Sequence, residues 1–129
     1  MSVQGMNHFT ILTDDVEATR AFYCDLLDFE VGTRPPFTFP GLWLYKHGTP
    51  ILHVIGGRKR EDLRSGVLDH MAFSASGLGE TVALLKSKGI DYLLRRVADT
   101  SDGGWQLFFH DPNGAKVEFD FDAKEPAPA

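Results

Sequence analysis

The feature that most constrains the fold of this chain is an internal repeat. Two strand-like stretches, "MNHFTIL" at residues 6–12 and "LDHMAFS" at residues 68–74, each carry a histidine at the third position. Each is followed by a helical pattern with apolar residues at a 3.6-residue period, which predicts helices over Val16–Leu27 and Gly79–Lys88. Three further strand-like stretches follow each helix, so the chain reads βαβββ twice.

The repeat predicts an α+β fold, in which two βαβββ modules form curved mixed sheets around a cavity. We expect a single domain over residues 1–122, with module one at about 5–57 and module two at about 67–121. Residues 123–129 are rich in Pro and Ala and are expected to form a flexible C-terminal tail. The remaining predicted strands are Glu30–Thr33, Gly41–Lys46, Pro50–Ile55, Tyr92–Val97, Gly104–Phe109 and Ala115–Phe121.

Charge and hydropathy exclude several classes of partner. The 129 residues include 13 Lys and Arg against 18 Asp and Glu, and no basic stripe is present, which argues against nucleic-acid binding. No apolar stretch approaches the roughly 20 residues of a membrane-spanning helix. The N-terminus lacks the basic and apolar segments of a secretory signal. We therefore predict a cytoplasmic protein whose partner is a small molecule, with neither nucleic acid nor membrane as a partner.

Four residues with metal-binding side chains occupy matching places in the two halves. His8 and His70 lie in the predicted first strands, and His53 and Glu118 lie in the predicted last strands. A pseudo-twofold relation between the halves would direct all four towards one point. Three imidazoles and one carboxylate suit a first-row divalent ion such as Zn, Ni, Co, Fe or Mn. His53 is interpreted either as the fourth ligand or as a general base.

Each of these residues also has a simpler interpretation. A single histidine in a strand is commonly a hydrogen-bonded core or surface residue, and Glu118 alternates with apolar residues in a way that also suits a solvated sheet face. The recurrence at equivalent positions in both halves favours the metal site. Aromatic residues are interpreted either as core or as the wall of a substrate pocket, with segment 34–45 as a specificity loop. These residues are Phe37, Phe39, Trp43, Trp105 and Phe108.

Three stretches, taken in this order, resemble the vicinal oxygen chelate superfamily: "NHFTILTDDVEATRAFYCDLLDFEVG", "LDHMAFSASGLGETVALLKSKGI" and "QLFFHDPNGAKVEF". The resemblance covers nearly all of residues 5–121. It implies the glyoxalase/bleomycin resistance/dioxygenase-like fold, in which paired βαβββ modules hold an open metal site, commonly in a homodimer. The metal in that family binds two neighbouring oxygens of a substrate as a Lewis acid. The ligands implied here are His8, His53, His70 and Glu118, with Glu118 or His53 moving a proton.

The resemblance leaves three activities open. A glyoxalase-like lyase or isomerase is favoured, although His53 stands where glyoxalases usually have Glu or Gln. Leu12 stands where glyoxalases tend to have an Arg for glutathione. An extradiol-type ring-cleaving dioxygenase is the first alternative, although Phe108 stands where those enzymes have Tyr. The second alternative is a drug-binding or aromatic-ligand-binding protein without catalysis, similar to bleomycin resistance proteins.

Overall fold

The computed structural model describes residues 1–129 and divides them into two compact units, Met1–Arg64 and Ser65–Ala129. Each unit contains one four-stranded mixed sheet and one principal helix, so the predicted α+β fold with two βαβββ modules is confirmed. The two predicted modules fall inside these two units. No helix has the length and apolar character that crossing a membrane requires.

Both sheets have the same strand order. In unit one the order is β1-β4-β3-β2, and in unit two it is β5-β8-β7-β6. The opening strand of each unit pairs in parallel with the last strand, and the other pairs are antiparallel. Unit one consists of β1 Phe9–Leu12, α1 Val16–Arg20, β2 Glu30–Gly32, β3 Gly41–Lys46 and β4 Thr49–Ile55; unit two consists of β5 Met71–Ser74, α2 Leu78–Ser87, β6 Tyr92–Arg96, β7 Trp105–His110 and β8 Lys116–Phe121.

The strand registers make positions 53 and 118 equivalent. His53 pairs with Thr10 on β1 and with Trp43 on β3. Glu118 pairs in the same way with Ala72 on β5 and with Phe108 on β7. Because side chains alternate across a strand, each of these residues shares a sheet face with its partners. We call this the ligand face of each unit.

The opposite face of each sheet carries the apolar core. In unit one Leu44, Leu52 and Val54 are buried there, and α1 contacts β3 and β4. In unit two the buried residues of the sheet are Leu107, Phe109, Val117 and Phe121, and those of α2 are Leu78, Val82 and Leu85. The core therefore uses alternate strand residues and leaves the others for the ligand face.

Two local predictions need correction. The opening strands begin at Phe9 and Met71, so His8 and His70 lie one residue before the strands and not within them. The first helix is α-helical only over Val16–Arg20 and continues as a π-helix over Ala21–Leu26, where the hydrogen bonds widen. The apolar periodicity of this segment predicted helix, but it did not distinguish between the two hydrogen-bond patterns.

The residues after β8 contact the start of α2. The Glu125 carboxylate accepts hydrogen bonds from the backbone N–H of Gly77 at 3.1 Å and of Leu78 at 2.7 Å. Gly77 has φ 83°, in the left-handed region that favours glycine, and the helix has no side-chain cap of its own. The indole N–H of Trp105 donates to the backbone oxygen of Glu125 at 2.9 Å. Flexibility of the tail as a whole stays a prediction, but its first residues have defined contacts.

Candidate functional site

In unit two, His70 lies between two carboxylates. Its Nε2 is 3.0 Å from Oε1 of Glu118, and its Nδ1 is 2.8 Å from Oδ2 of Asp69. Glu118 is only 6% exposed, whereas Asp69 is exposed. Gln106 donates a long hydrogen bond of 3.4 Å to the other Glu118 oxygen, Oε2. The sequence prediction that His70 and Glu118 come together is supported by this contact.

The two contacts of His70 need one more proton or a metal ion. A neutral imidazole has one N–H and one lone pair, and an ionised carboxylate can only accept hydrogen bonds. Because both ring nitrogens face carboxylate oxygens, a neutral ring leaves one of the two contacts without a proton, and between Nε2 and Oε1 of Glu118 a metal ion can take that place. Two ligand atoms at about 2.1 Å from one ion and at a right angle are about 3 Å apart. The pair therefore has a spacing that a divalent ion can use.

Two further carboxyl groups, those of Asp120 and Asp69, add negative charge around His70 and Glu118. Burial, and then a hydrogen bond to Glu118, raise the pKa of Asp120 to about 6. Hydrogen bonds from His70 and Lys116 lower the pKa of Asp69, so this exposed carboxylate stays ionised. Two cationic side chains are close to this place: Lys116, with Nζ at 3.4 Å from Oδ2 of Asp69, and Arg95, which donates to Gln106 at 3.1 Å. Three carboxyl groups against two cationic side chains favour a bound cation.

In unit one, His53 lies between two other rings. Its ring is stacked on His8, with centroids 3.8 Å apart and planes 14° apart, and on Trp43, at 4.0 Å and 10°. Its Nε2–H donates to the carbonyl of Pro50 at 3.1 Å, which leaves the lone pair on Nδ1. Burial, followed by the neighbouring His8, lowers the pKa of His53. The ring is thus neutral at pH 7 and able to accept a proton.

The stacking restricts how unit one can bind a metal. Nδ1 of His8 is 2.7 Å from Oδ1 of Asn7, so its Nε2 is the nitrogen left for a ligand bond. An ion lies in the plane of each imidazole that binds it. Because the His8 and His53 planes are nearly parallel and separated, one ion cannot lie in both. In this conformation one of the two histidines can bind a given ion, and joint binding requires one ring to turn.

The predicted aromatic wall in unit one is continuous with this stack. Phe37 and Phe39 are stacked at 4.8 Å and are 43% and 40% exposed, and Phe37 is 6.4 Å from Trp43. The Arg34 guanidinium lies 5.5 Å and 5.3 Å from the two phenyl centroids. The structure therefore brings Phe37, Phe39 and Trp43 together with His53, as the substrate-wall interpretation requires.

The two aromatic residues predicted to line a pocket in unit two lie on opposite faces of its sheet. Phe108 is on the ligand face, 6% exposed, with its ring edge-on to His70 at 5.9 Å. Trp105 is on the opposite face, because it is an odd number of positions from Phe108 on the same strand. The Arg96 guanidinium lies 3.6 Å from the Trp105 ring centroid. Trp105 is thus part of the contact with the C-terminal segment and is not brought together with Glu118.

Three residues near the candidate ligands were not singled out from the sequence. Asn7 and Asp69 precede the two histidines, and Gln106 lies beside Glu118 on the next strand. The first two had a signal, since they are equivalent in the repeat. No group of three or more His, Cys, Asp or Glu side chains has a metal-binding arrangement in the structure. The four-ligand site made of His8, His53, His70 and Glu118 stays a prediction.

Comparisons with known proteins agree with the fold. A model of the Glyoxalase/Bleomycin resistance protein/Dioxygenase superfamily matches residues 5–119. Glyoxylase I 4 of Arabidopsis thaliana is 31% identical over 124 residues, which cover 92% of this chain and 71% of that protein.

Solved structures are similar over almost the whole chain. The glyoxalase family protein from Enterococcus faecalis is 28% identical with a TM-score of 0.67, covering 91% of this chain and 97% of that one. A mutant of the fosfomycin resistance protein FosX from Listeria monocytogenes, complexed with Mn(II) and 1S,2S-dihydroxypropylphosphonic acid, is 17% identical with a TM-score of 0.75, covering 94% of each chain. The chain belongs to the Glyoxalase/Bleomycin resistance protein/Dioxygenase superfamily, as the sequence resemblance predicted.

Proposed function

We propose that this protein is a divalent-metal-dependent enzyme that acts on a small oxygenated metabolite, with glyoxalase-like lyase or isomerase chemistry favoured. The observation that carries the proposal is the contact between His70 and the buried Glu118, whose two atoms have the spacing of two ligands of one ion. The similarity to Glyoxylase I 4 and the Mn(II) in the FosX structure support it.

The proposed ligands are His70 through Nε2, Glu118 through Oε1 and, from module one, His8 through Nε2. The imidazole and carboxylate donors suit Zn, Ni, Co, Fe or Mn. His53 is the fourth ligand only if its ring leaves the stack, and it would then bind through Nδ1. In the stacked position His53 is the better candidate for a general base. Homodimer formation is part of the proposal.

The chemistry follows from what these side chains are able to do. The bound metal would supply Lewis acidity to two neighbouring oxygens of the substrate. His53 has a neutral ring with its Nε2–H fixed by Pro50, so Nδ1 is able to take a proton from a substrate carbon or hydroxyl. Glu118 is the second proton acceptor, with Gln106 fixing its Oε2. The rings of Phe37, Phe39 and Trp43 would exclude water from one side of the substrate.

The decisive experiment is metal identification followed by a small substrate panel. Protein purified without chelator is analysed for transition metals and assayed with hemithioacetals and with catechols. We expect Ni, Co, Zn or Mn and turnover of a hemithioacetal. Iron together with oxygen consumption on catechols would identify the extradiol-type dioxygenase instead. Protein that contains no metal, and gains none from an excess of these ions, would refute the proposal.

An observation in unit one supports a second candidate function, the binding of an aromatic ligand. The exposed stacked rings of Phe37 and Phe39 lead to Trp43 and offer an aromatic surface next to His53. Such a surface suits a planar or aromatic ligand that is held without chemistry. Quenching of tryptophan fluorescence by an aromatic ligand in the presence of EDTA, with no product formed after metal is restored, would favour a binding protein over the enzyme.

A further inference from the structure

The residue before each candidate histidine ligand has the same contact in both units. Asn7 presents Oδ1 to Nδ1 of His8 at 2.7 Å, and Asp69 presents Oδ2 to Nδ1 of His70 at 2.8 Å. We propose that Asn7 and Asp69 are positioning residues, which keep the ring proton on Nδ1 and leave the Nε2 lone pair of each histidine for a metal ion. The inference rests on the proposed function only for the identity of that cation.

The argument starts from the two tautomers of imidazole. The partner of one ring nitrogen decides which nitrogen carries the proton, and a metal-binding histidine commonly donates its other N–H to an oxygen. The carboxylate of Asp69 accepts only, and Oδ1 of Asn7 is the accepting end of its amide. Both contacts therefore favour the Nδ1–H form. At His70, Oε1 of Glu118 competes for the same proton from 3.0 Å, unless a cation lies between Nε2 and that oxygen. His53 has the reverse arrangement, since Pro50 accepts from its Nε2–H.

The two positioning residues differ in charge. Asp69 is a carboxylate and makes a charge-assisted hydrogen bond with His70, whereas Asn7 is neutral and orients His8 without adding charge. Lys116 lies 3.4 Å from the Asp69 oxygen that accepts the hydrogen bond from His70, and it neutralises part of the negative charge on that carboxylate. Asp69 is also exposed, so its replacement removes the hydrogen bond to His70 without opening a cavity. We therefore expect Asp69 to contribute more to metal affinity than Asn7.

The first test is a Co²⁺ titration of the full chain, followed by absorption spectroscopy. Loss of such an outer partner typically weakens metal binding about 10–100-fold, and we expect an effect in this range for Asp69→Ala. Asp69→Asn copies the arrangement in unit one and should recover part of the affinity. Asp91→Asn, at an exposed position outside the ligand face, is the matched control and should bind as the parent chain does. Equal Co²⁺ affinity in the parent chain and Asp69→Ala would overturn the inference.

The second test needs no metal, so it separates this inference from the proposed function. In metal-free protein, ¹⁵N spectra taken at a pH where the rings are neutral distinguish the Nδ1–H and Nε2–H forms. We expect His8 in the Nδ1–H form and His53 in the Nε2–H form in the parent chain, and His70 in the Nδ1–H form in Glu118→Ala, which removes the competing acceptor at Nε2. In that background Asp69→Ala should change His70 alone, and Asn7→Ala should change His8 alone. If the parent chain binds no Co²⁺ but these tautomers are found, the proposed function fails and the positioning role stands; His8 and His70 in the Nε2–H form in Glu118→Ala would refute the positioning role.

Discussion

Positions 53 and 118 are equivalent in strand order and register, but their surroundings differ. His53 is stacked between His8 and Trp43, whereas Glu118 is in contact with His70 and near a second carboxyl group, Asp120. Unit one offers stacked aromatic rings and unit two offers negative charge. The repeat therefore determines where a functional side chain stands on each sheet, and the residue type and its neighbours determine what that side chain can do. The two units are matched in geometry and complementary in chemistry.

The largest expected effect is a loss of bound metal, and it tests whether Glu118 is a ligand and His53 a base. Glu118→Ala should abolish metal retention, because it removes a buried charge that faces His70. His53→Ala should leave the metal bound and reduce turnover, because a stacked ring with Nδ1 free is placed as a base and not as a ligand. Metal content after desalting and the turnover number of each variant give the result.

A matched control uses an acidic residue away from the ligand face. Glu80→Gln, on the exposed first turn of α2, should retain the metal content of the parent chain. If His53→Ala loses metal as completely as Glu118→Ala does, His53 is a ligand in solution. The stacked conformation of unit one would then not be the one that binds metal.

Local patterns predicted the parts of this fold that depend on local chemistry. Alternation of apolar residues placed Glu118 on the face opposite Val117 and Phe121, and the recurrence of histidine paired His8 with His70. The tail contact was not predictable in this way, because Glu125 acts on Leu78, which is distant along the chain. The stacking of His53 was also beyond local patterns. Periodicity assigns residues to a face but does not set the rotation of a ring.

Predictions for Trp105 and the aromatic wall show the same limit. Aromatic composition placed Trp105 and Phe108 together, yet one strand turns them to opposite faces. Period-two alternation within the predicted strand would have separated them, since they are three positions apart. Alternation does not give which of the two faces meets Glu118, because that depends on the register of β7 with β8.

The next effect concerns how much one aromatic residue on each ligand face contributes to the free energy of unfolding. Phe108 and Trp43 are equivalent, but Phe108 is 6% exposed and Trp43 is only half-buried. Phe108→Ala should lower the free energy of unfolding by about 3–5 kcal/mol, the usual range for a buried aromatic residue. Trp43→Ala should cost about 2 kcal/mol, since solvent already covers part of the ring. Urea unfolding of both variants measures this, and equal losses would contradict the difference in burial between the two faces.

A smaller effect on stability comes from the N-terminal caps of α1 and α2, which differ in origin. Asp15 caps α1 locally by accepting from the N–H of Ala18 at 2.9 Å, whereas α2 is capped from a distance by Glu125. Each cap should contribute about 1 kcal/mol, with Glu125→Ala nearer about 2 kcal/mol because its carboxylate accepts two backbone N–H bonds. Thermal unfolding of both variants measures the loss. Glu125→Gln should lose less than Glu125→Ala, and a Tm for Glu125→Ala equal to that of the parent chain would show that the tail contact is absent in solution.

The smallest effect concerns Lys116, a cationic side chain paired with Asp69 in unit two. Its pair with Asp69 is exposed and 3.4 Å long, so Lys116→Met should leave Tm unchanged within experimental error. The same substitution removes a positive charge beside the proposed metal ligands, and it should tighten Co²⁺ binding several-fold at low salt and less at high salt. Arg58→Met, in the loop after β4, removes an equal charge elsewhere and should change neither quantity. If Lys116→Met binds Co²⁺ with the same affinity as the parent chain at low and at high salt, the negative charge of unit two does not attract the ion. The difference between the two units would then rest on the identity of their ligands alone.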